Sequence, residues 1–154
     1  MLLQLKEPNQ ATPKPTQVPL AIGIDLGTTH SLAAYKKGDE DVRILTDTLP
    51  SVVSYKGSNP VVGDQALRDL DDTPDQVVTS IKRLMGKSLE DIKGTVEEHL
   101  YPLSNGLEIN ETEPLMLLIN DQPMTPFEVS ADILKEIKKQ AEESLKETVT
   151  QAVI

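Results

Sequence analysis

A chain of 154 residues with 38% hydrophobic and 26% charged residues is long enough to bury one core, and it reads as a globular protein with no segment apolar enough to span a bilayer. A formal net charge of −10 argues against a broad basic face for nucleic acid or anionic lipid, so neither partner is expected. The absence of cysteine rules out disulfides, thiolate metal sites and Cys nucleophiles, and one Phe, three Tyr and no Trp leave an aliphatic core.

Residues 1–18 carry Pro8, Pro13 and Pro15 among Asn, Gln and Thr and predict a flexible leader. The leader has neither a basic, long-apolar signal peptide nor an Arg-rich transit sequence, so a cytoplasmic location is expected. Leu20 to Asp25 is nearly continuous in apolar character and predicts a strand buried on both faces. A turn through Leu26-Gly27-Thr28-Thr29 leads to returning strands at Ser31–Tyr35 and Val42–Leu45, an antiparallel meander. Leu49-Pro50-Ser51 interrupts the pattern, which resumes over Ser51–Tyr55, and Gly57 to Pro60 is a loop.

Asp64 is a candidate N-cap for a short helix to Leu70, closed by Thr73-Pro74. Val77–Met85 has amphipathic patterning and stops at Gly86. Ser88–Lys93 is a further helical turn, and Thr95–Asn110 is polar and poorly patterned. Leu115–Ile119 predicts a strand followed by a hairpin-type turn at Asn120-Asp121. Thr125-Pro126-Phe127-Glu128 is a capping box that opens the clearest helix, expected to end near Glu147. Val129, Ile133, Ile137, Ala141 and Leu145 recur every four residues as its apolar stripe, with Glu142 placed to support Lys146. Ala152-Val153-Ile154 begins an apolar strand with no closing turn, which predicts that the sequence is part of a longer one.

Two familiar phosphate motifs are absent. Gly86-Lys87-Ser88 imitates the end of a P-loop, but the required upstream glycine is Ile81, and no G-x-G-x-x-G follows a strand. Asp25-Leu26-Gly27-Thr28-Thr29 is a different arrangement. A strand delivers a carboxylate to its end, a glycine turn can aim N–H groups at phosphate oxygens, and the Thr hydroxyls add donors. Asp25 would face Mg²⁺ through water, because Mg²⁺ keeps several of its waters. A plain hairpin turn with Thr chosen for strand propensity accounts for these five residues equally well. Lys82 could stabilise charge on a phosphate or be a solvated side chain. His30 and His99 have no second ligand at metal spacing, and Asp71-Asp72 and Glu97-Glu98 read as solvated faces. Asn110-Glu111-Thr112 matches a glycosylation sequon that has meaning only on secretion.

In order along the chain, Gly23-Ile24-Asp25-Leu26-Gly27-Thr28-Thr29-His30-Ser31, Leu49-Pro50-Ser51, Val62-Gly63, Ile81-Lys82-Arg83-Leu84-Met85-Gly86 and Val129-Ser130-Ala131-Asp132-Ile133-Leu134-Lys135 resemble the nucleotide-binding domain of DnaK-type heat-shock chaperones. Coverage runs from about residue 19 to Ile154. The leader and the Val129–Lys135 helix are most similar to the HscA kind, which serves iron–sulfur cluster assembly. The resemblance implies an α/β, actin-like (ribonuclease H-like) ATPase fold, here a partial first lobe with a mixed sheet and a long packing helix. Residues 19–50 and 125–154 would form the base of that lobe and 51–124 its upper subdomain.

The resemblance also implies ATP/ADP and Mg²⁺ as ligands. Asp25 matches the family's Mg²⁺-water carboxylate, Gly27, Thr28 and Thr29 its first phosphate loop, and Lys82 its catalytic lysine. His30 falls beside the phosphates where the family commonly has Asn or Tyr. The family's partners are a J-domain co-chaperone and an iron–sulfur scaffold protein. Its second phosphate loop, further carboxylates, adenosine pocket and peptide-binding domain have no counterpart in these residues. The chain alone is therefore expected to be catalytically incomplete, a noncatalytic remnant being one alternative. A sugar kinase of the same fold is another, opposed by the Lys82 motif and the Val129–Lys135 helix.

Overall fold

The computed structural model describes residues 20–103 and 115–154; the leader, the sequon and the end of the Thr95–Asn110 segment lie outside the described residues. Strands β1 (Ala21–Asp25), β2 (His30–Tyr35) and β3 (Arg43–Ile44) form the expected antiparallel meander. Farther on, Leu49 and Pro50 are themselves a short strand, β4, paired with the start of β2. Pairing slips by two residues between Ala34↔Ile44 and Ser31↔Leu49. The buried Thr46 fills the slip: its Oγ1 accepts the Ala33 N–H at 3.0 Å where a strand carbonyl would ordinarily do so. Leu49-Pro50 was expected to interrupt the strands, but proline is tolerated here because it needs no ladder donor at a strand end.

A second sheet follows. Strand β5 (Val52–Ser54) lies between β6 (Val61–Val62) and, after helix α1 (Asp64–Asp69), β7 (Val77–Thr79). The N-cap of α1 is Gly63, not Asp64, which is its first helical residue. Gly63 has φ 87°, and its missing side chain leaves room for Leu49. The amphipathic stretch Val77–Met85 is not one helix. It divides at Ser80, in the left-handed region (φ 53°), into β7 and a 3-10 turn at Ile81–Leu84. Val77 and Val78 are β-branched and pair across β5, so tertiary pairing overrides the helical reading.

Two one-turn helices, α2 (Leu89–Ile92) and α3 (Glu97–Leu100), lead to the hairpin of β8 (Leu117–Ile119) and β9 (Gln122–Met124). Its turn residues Asn120 and Asp121 both have positive φ, 51° and 59°, the combination that suits a two-residue hairpin.

Helix α4 (Pro126–Leu145) starts on the predicted capping box: Thr125 Oγ1 accepts the Glu128 N–H at 3.2 Å and the Glu128 carboxylate accepts the Thr125 N–H at 2.7 Å. It ends at Lys146, in the left-handed region (φ 57°), slightly before the expected Glu147. Val129, Ile133, Ile137 and Ala141 are buried, and Leu145 is half-buried against them. Each fully buried Ile or Val side chain is worth about 1.5–3 kcal/mol of burial. Glu142 pairs with Lys138 at 3.7 Å, one turn before it, and accepts the Val149 N–H at 2.9 Å, so the expected Lys146 partnership is not formed. Helix α4 packs on β2, β5, β6 and the 3-10 turn, and so bridges both sheets.

The last strand, β10 (Gln151–Val153), runs parallel to β1 and gives the mixed order β10-β1-β2-β3. One expectation of burial is corrected here. Strand β1 alternates, with Ile22 buried while Ala21, Gly23 and Asp25 are exposed. All of β10 is exposed, Val153 to 74%. An apolar run does not by itself reveal which of its faces another element covers.

Candidate functional site

Strand β1 ends in an exposed carboxylate, Asp25, and the following Leu26 turns inward to anchor the loop in the core. The chain then reverses so tightly at Gly27 that a Cβ there would overlap the carbonyl oxygen of His30. Only glycine permits that approach, which explains the residue without any appeal to positive φ.

What holds the reversal comes from elsewhere in the chain. Ser31 Oγ accepts the Gly27 N–H at 3.1 Å. Ser51 Oγ donates to the Gly27 carbonyl at 2.9 Å, and the two hydroxyls meet each other at 2.9 Å. The Ser51 N–H also donates to the Thr29 carbonyl at 2.8 Å. Ser31 and Ser51 are 1% and 2% exposed, so these are buried bonds that would be costly to leave unmade. Among the described residues no protein acceptor is found for the N–H of Thr28 or Thr29. Thr28 is half-buried, and Thr29 and His30 are exposed.

Asp25, Gly27, Thr28, Thr29 and His30 therefore lie together at one strand–turn–strand reversal, with Asp25, Thr29 and His30 exposed. Lys82 sits on another element. In the 3-10 turn Ile81 and Leu84 are buried, which leaves Lys82 and Arg83 outward. Arg83 pairs with Glu97 at 3.8 Å; among the described residues Lys82 has no acidic partner. Tyr101 Oη donates to the Ser80 carbonyl at 3.1 Å and steadies the start of the turn, and burial pushes the Tyr101 hydroxyl pKa above its ordinary value.

No hydrogen bond or ion pair links Lys82 to the Gly27 loop. Register links them: Val52, next to Ser51, pairs with Thr79, which Ser80 joins to the 3-10 turn. Sequence motifs contained Ser31 and Ser51 but gave them no part. The missed signal is that small hydroxyl residues interrupt strands otherwise built of Leu, Ala and Val.

A second polar cluster lies between β5 and α4. Tyr55 Oη donates to Asp132 at 3.0 Å, Lys135 reaches the other oxygen of that carboxylate at 2.7 Å, and Asn120 donates to the Tyr55 carbonyl at 2.6 Å. Burial first, then the Asp132 charge and hydrogen bond, raise the Tyr55 pKa well above the ordinary tyrosine value. A cleft of about 210 Å³, lined by Leu20, Tyr35, Arg43 and Leu145 among others, opens where β1 starts and β2 ends. It lies at the opposite end of these strands from Asp25 and His30.

The family model for Hsp70 protein matches residues 21–154, an unbroken stretch that includes the Gly27 loop, the Lys82 turn and α4. The chain belongs to the Hsp70 family. It is 41% identical to a protein of Vibrio campbellii described as Chaperone protein HscA homolog, over 94% of this chain and 23% of that one. It is 40% identical to Chaperone protein HscA of Proteus mirabilis over 94% of this chain and 23% of that one. A third relative, the Chaperone protein HscA homolog of Pseudoalteromonas atlantica, is 39% identical over 99% of this chain and 24% of that protein. The chain thus spans about a quarter of the length of the curated relatives it matches. Membership carries the actin-like ATPase fold with it, in keeping with the α/β arrangement of sheets and helices described above.

Proposed function

We propose that this chain is a nucleotide-binding segment of an ATP-driven chaperone of the HscA kind, in which the Gly27 loop receives the phosphates of ATP or ADP. The observation that carries the reading is the loop itself. Buried serine bonds fix it, glycine is required in it, Asp25 and Thr29 are exposed, and among the described residues the N–H groups of Thr28 and Thr29 have no protein acceptor. Phosphate needs several donors converging on one concave backbone turn, and this donor set fits it. The exposed Asp25 carboxylate suits Mg²⁺, which prefers oxygen ligands and holds them through water. When bound, Mg²⁺ neutralises phosphate charge.

In this reading Thr28 and Thr29 bind and orient phosphate oxygens, and His30 alters the edge of the same pocket. Lys82 offsets charge that develops on the transferred phosphoryl group. Residues 19–50 and 125–154 act as the base of the first lobe and 51–124 as its upper subdomain. By kinship with the named relatives, the whole protein would fold clients or move iron–sulfur clusters in the cytoplasm, with a J-domain co-chaperone and a cluster scaffold. One loop and one lysine supply few of the contacts that a triphosphate needs, so the 154-residue chain alone should bind ATP weakly and turn it over negligibly.

The test is a magnetic-resonance titration of the chain with ATP to millimolar concentration, with and without Mg²⁺. Amide signals of Thr28, Thr29 and His30 should shift, and the shifts should depend on Mg²⁺ in the native chain but much less in Asp25→Asn. No shift in this loop at any concentration, or one centred on the Leu20–Arg43 cleft, would move the nucleotide elsewhere.

A further inference from the structure

We infer that Ser31 and Ser51 are positioning residues of the phosphate loop, and that Ser51 is the joint by which the Lys82 turn keeps its place relative to that loop. The inference rests on the proposed nucleotide reading for its purpose, although the geometry it uses stands without nucleotide. Gly27 has both its polar backbone groups committed inside the protein, its N–H to Ser31 and its carbonyl to Ser51. The Gly27 N–H is therefore unavailable to a ligand, and the donors that remain for phosphate are those that follow it, at Thr28 and Thr29. The two hydroxyls close a ring with Gly27 in which each member fixes the next.

Ser51 has a second attachment through its own N–H to the Thr29 carbonyl at 2.8 Å. It thus grips the loop at two carbonyls, on either side of Thr28. From Ser51 the chain enters β5 directly, and Val52 pairs with Thr79 and Val53 with Val78. Three residues beyond Thr79 stands Lys82. One short path of backbone bonds thus runs from the loop through Ser51 to the segment that bears the lysine. The path needs no movement and no ligand, and both serines are buried too deeply to touch either. Their role is to hold, through Gly27, groups that can touch a phosphate.

The first measurement uses the unaltered 154-residue chain without nucleotide. Hydrogen exchange read by magnetic resonance should find the Gly27 amide protected at least about tenfold more than those of Thr28 and Thr29, the ratio expected for one buried hydrogen bond. A Gly27 amide that exchanges as fast as its neighbours overturns the inference whatever the chain does with ATP. If Gly27 is protected but millimolar Mg·ATP leaves Thr28 and Thr29 untouched, the clamp stands and the nucleotide reading fails.

The second measurement uses Ser51→Ala and Ser51→Thr, each first shown to keep a native melt. The alanine variant should weaken the Mg·ATP-induced shifts at Thr28 and Thr29 and move the amide signals of Ser80 to Leu84 as well. The threonine variant, which keeps the hydroxyl, should restore both. Loss confined to thermal stability, with the loop and the Lys82 turn unmoved in Ser51→Ala, assigns Ser51 a packing role only and defeats the proposal. If Ser51→Ala does not fold, Ser31→Ala takes its place, and a Gly27 amide that keeps its protection there defeats the proposal equally.

Discussion

The inner face of α4 and the Gly27 loop are built by opposite means. Helix α4 is held by many interchangeable contacts: Val129, Ile133, Ile137 and Ala141 lie on one stripe and bury aliphatic surface against both sheets. The loop is held by a few directional bonds among Gly27, Ser31 and Ser51, with almost no apolar burial beyond Leu26. Apolar packing is non-directional and scales with area, whereas a hydrogen bond contributes only about 1 kcal/mol net when made and is costly when left open. The helix should therefore carry stability and the loop should carry geometry. The two should come apart under mutation.

The largest effect should come from the helix. Ile133 is 1% exposed, so Ile133→Ala removes methyl groups from a closed site and should cost about 2–5 kcal/mol in a denaturant melt. At temperatures where the variant stays folded, the Mg·ATP-induced shifts at Thr28 and Thr29 should match those of the native chain. A variant that loses both together would mean that the loop is shaped by the core and not by its serines.

The reverse separation is expected at Lys82. Its side chain is exposed and has no acidic partner among the described residues, so Lys82→Ala should leave the melt within error. In a chain completed with the remaining segments of an HscA relative, the same change should lower ATP hydrolysis on the order of a hundredfold, about 3 kcal/mol, with affinity for ATP nearly unchanged. That is the signature of an interaction made mainly in the transition state. A raised dissociation constant with an unaltered rate constant would instead assign Lys82 to ground-state binding.

The same contrast explains what could be read from the residues alone. The α4 stripe and its capping box were legible because helix periodicity and cap chemistry are local and repeat within four residues. The meander and the Asn120-Asp121 hairpin were legible for the same reason. Strand β7 was not, because Val77–Met85 has helical spacing and only the pairing of Val77 and Val78 with β5 decides its form. Burial of both faces of β1 was expected from its apolar run and is not found, since a run records hydrophobicity and not which neighbour covers it. At the candidate site, Asp25 and Gly27 stood out because strand-end carboxylates and turn glycines are recognisable types. The Ser31–Ser51 pair did not, because its residues are twenty positions apart and serine is ordinary almost anywhere.

Tyr55 joins the two kinds of region, since it is an aromatic of the core with a directional bond to α4. Tyr55→Phe keeps the packing and removes the donor to Asp132, which retains Lys135 at 2.7 Å. The expected cost at neutral pH is about 1 kcal/mol, the low end for a buried acceptor that keeps another partner. The alkaline limb carries a further test. The folded pKa of Tyr55 is raised by burial and by Asp132, while an unfolded tyrosine ionises near about 10. Below that value both states are neutral and the stability is fully present. Above it the unfolded chain releases the proton first, so stability falls as pH rises toward the folded pKa. Tyr55→Phe should flatten this fall without abolishing it, because burial also raises Tyr101. An unchanged alkaline melt would remove Tyr55 from the account.

The smallest effect tests whether directional bonds matter where packing already suffices. Thr125 and Glu128 cap α4 reciprocally, with bonds of 3.2 and 2.7 Å, in a position open to solvent. The N–H of Thr125, followed by its hydroxyl, holds the Glu128 carboxyl pKa below the ordinary glutamate value. A depressed carboxylate contributes stability that is present above the unfolded pKa, about 4.3, and is lost as pH falls through the folded one. Thr125→Ala should cost roughly 1 kcal/mol at pH 7. The difference between variant and native chain should shrink as the pH falls below the pKa of free glutamate, because protonation of Glu128 weakens the bond it accepts from the Thr125 hydroxyl at 2.9 Å, which the variant lacks. The box of Ser88 and Asp91 on α2 has the same chemistry on a helix of only four residues. With so short a helix behind it, that cap has little to propagate, and Ser88→Ala should change the melt less than Thr125→Ala does. Equal losses at the two caps would show that each acts only on its own turn, and that the length of packed helix behind a cap does not amplify it.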